Sequence, residues 1–127
     1  MKVLLDTHTF VWMDSAPAKL SAAAQRVLSN PANDLILSVV SVWEIAIKVQ
    51  IGKMILRAPL IDIVTQQRPN GLRVLPATLD HVMAVEGLPL FHSDPFDRLL
   101  AAQAILEGAD LLTADPIFAQ YPVRVIW

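Results

Sequence analysis

Five short stretches of this chain are apolar almost without a break: KVLLD (2–6), LILSV (35–39), LRVLP (72–76), DLLTAD (110–115) and VRVIW (123–127). They show no in/out alternation, so neither face is reserved for water. That pattern suits strands of a parallel sheet covered on both sides. Between them, helical patterns are expected over about 19–29, 41–51, 59–69, 78–86 and 95–107. Gly52, Gly71, Gly87 and Gly108 each follow the end of an expected helix, where a left-handed residue stops it at little cost. Strands alternating with helices predict an α/β fold: a central, mostly parallel sheet of four or five strands flanked by helices, with right-handed crossovers. Ligands of such sheets bind outside the carboxyl ends of the strands.

The chain has 127 residues, the length of one domain spanning 1–127, with enough material for a core. Apolar residues make up 54% and charged ones 17%, and the mean hydropathy is +0.49. Disorder is excluded by these figures, and the apolar excess points to a partner-covered surface. With no cysteine, disulfides, thiolate zinc sites and cysteine nucleophiles are excluded, which fits a reducing cytoplasm. The apolar stretch before Asp6 is too short for a signal peptide. Glu44 and Lys48 interrupt the most apolar region, 35–53, so no membrane span is expected. Because all four glycines are taken by helix ends, no phosphate-cradling loop can be built, and no GxSxG elbow exists. Net charge is -2, so bulk basicity does not advertise nucleic acid. A local basic stretch runs from Lys48 to Arg73, with Lys53, Arg57 and Arg68 inside it and only Asp62 opposing.

Acids fall at matching edges of the expected elements. Asp6 ends the first strand, Glu44 lies in the first turn after the second, Asp115 ends the fourth, and Asp97 opens the helix leading to the fourth. Each has a plain structural reading. Ser41 and Glu44 form a capping-box pattern, Asp94-Pro95 suits a helix start with Asp97 in its first turn, and Asp115-Pro116 could begin a short helix. Together they suggest chemistry instead. Four carboxylates about 5 Å apart would repel by roughly 3 kcal/mol per pair at an effective dielectric near 20. Such a group needs a cation or partial protonation. Oxygen donors without cysteine favour a hard ion, Mg²⁺ or Mn²⁺, over zinc.

The segments LLDTHTFVW, SVVSVWEIAIK, HSDPFDRLLAAQA and LLTADPIF, in this order, resemble the PIN domain, and especially the VapC-type ribonuclease toxins of bacterial toxin–antitoxin pairs. The resemblance covers nearly the whole chain. It implies a PIN-like three-layer sandwich and a Mg²⁺- or Mn²⁺-dependent endoribonuclease holding one or two ions. Its acidic site falls on Asp6, Glu44, Asp97 and Asp115, with Asp6 and Asp97 as direct ligands and Glu44 and Asp115 orienting water or filling a second site. Asp94 is left as a cap or a supporting group. Thr7, Thr9 and Thr113 adjoin the site acids and could hydrogen-bond them. The resemblance further implies an RNA substrate, a cognate antitoxin over the acidic cleft, a homodimer and a cytoplasmic location.

Lys48, Lys53 or Arg57 would offset the acidic cluster for an approaching phosphate, and Arg98 would pair with a carboxylate, reach substrate or form a surface ion pair. His8 and His92 are expected to be structural, His81 exposed on its helix, and Trp12, Trp43 and Trp127 core or interface residues. Two rival readings differ in class. A phosphotransferase of the haloacid-dehalogenase type needs a second aspartate where His8 stands. A catalytically silent PIN-like interaction module would keep the acids as caps only.

Overall fold

The computed structural model describes residues 1–127. The five apolar runs form five strands: β1 (Lys2–Leu5), β2 (Asp34–Ser38), β3 (Leu72–Leu75), β4 (Asp110–Leu112) and β5 (Val125–Ile126). All pairings are parallel, in the order β3-β2-β1-β4-β5. Alternate residues of β1 and β2 enter opposite cores: Val3, Leu5, Leu35 and Leu37 face one side, Leu4 and Ile36 the other. Two cores on one sheet explain why the strands carry no polar face.

Six helices cover the sheet: α1 (Thr7–Ser15), α2 (Ala22–Ser29), α3 (Val39–Gln50), α4 (Leu60–Gln67), α5 (Leu79–Glu86) and α6 (Pro95–Glu107). The first core takes Phe10 of α1, Ala24 and Val27 of α2, Ile45 of α3 and Ile63 of α4. The second takes Leu100, Ala101 and Ala104 of α6 with Phe118 and Tyr121. Three layers result, as expected.

Several local expectations are corrected. Residues 7–15 are helical, although no helix was expected there. Their buried positions are Thr7, Thr9 and Phe10, so no apolar stripe marks the helix. The cap of α3 is Ser38, whose hydroxyl accepts from the Val40 N–H, because the helix starts directly at the end of β2. Ser41 is therefore inside α3 and Glu44 is not in a capping box. Gly52, Gly71 and Gly108 have positive φ, but Gly87 is right-handed at φ −84°. His81 is buried, not exposed: its Nδ1 accepts from the Thr78 N–H in a capping box and its Nε2 lies 3.0 Å from Glu107. Of the two places expected for Trp43, core or interface, only the core is excluded: it is 59% exposed and packed edge-on against Phe96. β4 and β5 are shorter than expected, which leaves 113–115 as a turn.

Candidate active site

Chain order reverses between β1 and β4: β2 and β3 add on one side of β1, β4 and β5 on the other. The chain leaves β1 toward one face of the sheet, where Phe10 packs, and leaves β4 toward the other, where Phe118 packs, and the crevice at such a switch point is the usual ligand position. Asp6 leaves β1 here. It caps α1, with Oδ1 accepting from the Thr9 N–H at 2.8 Å, while Oδ2 accepts from the Thr113 hydroxyl at the end of β4. The Thr9 hydroxyl donates to the Leu112 carbonyl and clamps the same two strands.

Glu44 comes from the second turn of α3 and is buried. Its Oε1 accepts from the Thr7 hydroxyl at 2.8 Å, its Oε2 from Lys48 Nζ at 2.6 Å. Thr7 also lies 3.0 Å from the buried Ser41 hydroxyl, so α1 and α3 are tied beside the crevice. Asp97 stands in the first turn of α6, which Asp94 caps through the Phe96 and Asp97 N–H groups. Asp115 follows β4; its own N–H donates to Thr113, and its Oδ1 caps a short turn at Ile117.

His92 joins the last two acids. Its Nε2 lies 3.2 Å from Asp115 Oδ2 and 2.8 Å from Asp97 Oδ2. One donor atom each from His92, Asp97 and Asp115 fall within 4.8 Å of one another. Burial pushes the Asp97 carboxyl up to about 7, and the charges of Asp94, Glu44 and Asp6 add to the rise, while His92 opposes it. Asp97 thus feels Asp6, Glu44 and Asp94 as neighbours, and Asp115 is linked to it through one imidazole. The four expected acids meet at one edge of the sheet. This acidic cluster is short of positive charge, and its oxygen donors fit a hard divalent ion.

Other expectations separate. Thr7, Thr9, Thr113 and Asp94 all bond the cluster or its helices. Arg98 does not reach it: its guanidinium donates to the carbonyls of Val85, Leu88 and Pro89, pinning the α5–α6 loop. Arg57 is engaged with Asp14 and Gln66, and Arg73 with Asp34; of the basic stretch, only Lys48 bonds a cluster acid. His92, expected to be a structural hydrogen-bonding group, makes its hydrogen bonds at the cluster itself. A cleft of about 850 Å³ lies at the opposite edge, near the starts of β2 and β3. No charged side chain lines it, so it is not the seat of this chemistry.

A PIN domain family model matches residues 3–123. The chain belongs to the PIN-domain family. Ribonuclease VapC22 of Mycobacterium tuberculosis (strain ATCC 25618 / H37Rv) is 32% identical over 114 residues, covering 89% of this chain and 86% of that relative. Among solved structures, VapBC2 from Rickettsia felis, bound to a DNA fragment from its promoter, superposes with a TM-score of 0.67 at 16% identity, covering 98% of this chain and 97% of that one. The sarcin-ricin loop cleaving toxin VapC20 of Mycobacterium tuberculosis gives 0.66 at 18% identity and 93% of each chain. The PIN fold read from the sequence is the fold observed.

Proposed function

We propose that this PIN domain is a divalent-metal-dependent endoribonuclease that hydrolyses RNA phosphodiester bonds, and that it is the toxin of a VapBC-type pair. The observation that carries the reading is the meeting of Asp6, Glu44, Asp97 and Asp115 in the β1/β4 crevice, with Asp97 driven toward its protonated form by burial and by its acidic neighbours. The relationship to Ribonuclease VapC22 supports the choice of RNA.

In this reading Asp6 and Asp97 hold the ion, Mg²⁺ or Mn²⁺, with one or two bound. Glu44 and Asp115 orient water or complete a second position. A bound divalent ion would activate water for in-line attack and stabilise charge on the phosphoryl oxygens. The chain's own residues do the rest. Thr7, Thr9 and Thr113 fix Asp6 and Glu44 in one orientation, so little reorganisation is left for the reaction. Lys48 neutralises part of the charge an incoming phosphate meets, and α6 directs its N-terminus at the same crevice.

A single PIN domain over 1–127, a cytoplasmic location, a protein antitoxin and a homodimer complete the proposal. No helix is long and apolar enough to cross a membrane. Exposed Ile51, Ile55, Ile61, Leu79, Val82, Met83 and Leu90 supply apolar surface for protein partners. The deciding experiment is Asp6→Asn. The amide keeps the oxygen that caps α1, so the variant folds, while Mn²⁺-dependent RNA cleavage falls by about 10³-fold or more, the several kcal/mol a catalytic ion supplies. Cleavage at the wild-type rate would overturn the proposal. Light scattering at micromolar concentration tests the dimer separately.

A further inference from the structure

His92, Asp97 and Asp115 have the look of a three-residue metal site, since their donor atoms fit within 4.8 Å. The second ring nitrogen argues otherwise. His92 Nδ1 accepts a hydrogen bond from the Asp94 N–H at 3.2 Å. A neutral imidazole that accepts at Nδ1 carries its proton on Nε2. Nε2 is the atom aimed at the two carboxylates, 3.2 Å from Asp115 and 2.8 Å from Asp97. Binding a metal through Nε2 would move the proton to Nδ1 and set two N–H groups face to face. Metal-bound histidines instead donate their other N–H to a carboxylate, carbonyl or water. None of those faces Nδ1 here.

The ring is also held from outside the cluster. The His92 N–H donates to the Tyr121 hydroxyl at 3.0 Å, the imidazole packs on Phe118 at 5.7 Å, and Phe91 meets the Tyr121 ring edge-on. The side chain is 13% exposed. It is therefore fixed between the start of α6, which bears Asp97, and the turn after β4, which bears Asp115.

We propose that His92 is a positioning residue: an N–H donor that holds Asp97 and Asp115 at one spacing, and not a ligand of the ion they bind. The proposal rests on the metal-dependent reading above. Three measurements test it. In ¹⁵N-labelled, metal-free protein, long-range ¹H–¹⁵N spectra show Nε2 protonated and Nδ1 bare; a proton on Nδ1 overturns it. With Mn²⁺ bound, electron spin echo modulation shows no directly ligated nitrogen; a strong ¹⁴N coupling that His92→Gln removes overturns it. By calorimetry, His92→Ala weakens Mn²⁺ binding about 10–100-fold, the usual range for residues supporting a ligand. His92→Gln, which keeps an N–H near the Nε2 position, recovers most of that loss. An unchanged Kd in the alanine variant, or a glutamine variant as weak as alanine, overturns the proposal. Should His92→Ala fail to fold, the two spectroscopic measurements on wild-type protein decide. A wild type that binds no Mn²⁺ sinks the metal-dependent reading and this proposal with it; tight binding with nitrogen ligation sinks this proposal alone.

Discussion

Asp6 and Glu44 are at most 6% exposed, and both oxygens of each accept from a hydroxyl, an amide or an ammonium group. Asp97 and Asp115 sit across the crevice with side chains 20% and 34% exposed, and share one imidazole. The first pair is built into the α1 and α3 packing and keeps its geometry without help. In the second pair, burial and then the charges of Asp94, Glu44 and Asp6 outweigh His92 and push the Asp97 carboxyl up. The contrast separates two halves of one cluster: a rigid half fixed by hydrogen bonds, and a half with a raised carboxyl, where the proposed cation would bring the larger change.

The strongest way to break this comparison is Asp97→Asn. It is expected to abolish Mn²⁺-dependent cleavage, by about 10³-fold. In metal-free protein it should raise Tm by about 2–5 °C, because a strained carboxyl is replaced by a neutral group worth ~1 kcal/mol of relief. A lower Tm in calorimetry would place Asp97 with the rigid half. Thr7→Val attacks that rigid half. It removes the hydroxyl donor of buried Glu44 and should cost roughly 1–3 kcal/mol in urea denaturation.

The pH dependence follows from Asp97 alone. Its folded value, about 7, lies above the ordinary 3.8, so between those values the native state holds a proton the unfolded chain has lost. Metal-free stability from this group is complete below pH 4 and declines as pH rises toward 7. Mn²⁺ should therefore raise Tm more at pH 8 than at pH 5; a larger rise at pH 5 would contradict the assignment. The smallest effect is expected for Asp94→Ser. Serine keeps the cap, so stability changes within about 0.5 kcal/mol. Removing the charge should bring the Asp97 titration, followed by carboxyl ¹³C NMR, down toward its ordinary range.

Much of this was legible in the chain. Strands buried on both faces leave apolar runs, so β1 to β4 stood out, and helix starts such as Asp94-Pro95 announce themselves chemically. The position of acids at matching element edges singled out Asp6, Glu44, Asp97 and Asp115 as candidates, and the resemblance to the PIN domain gave them as one site. What failed were features decided by tertiary contacts. α1 was invisible because Thr7 and Thr9 are buried for hydrogen bonding, and a buried threonine leaves no apolar stripe. Ser41 mimicked a cap because the true cap, Ser38, lies three residues earlier. His81 and Arg98 carry polar side chains that point inward to Thr78 and Glu107 or to loop carbonyls, and no sequence period reports such partners. His92 acquires its place only when the loop before α6 folds over Tyr121.

The bond from Thr113 to Asp6 spans 107 positions of the chain. Synthesis must pass Thr113 before that closure is possible, and pairing residues so distant carries a loop-closure cost that slows folding. Translation products that stop before β4 can carry Asp6, Glu44 and Asp97 but lack Asp115 and the Thr113 hydroxyl, which leaves such copies without the assembled cluster.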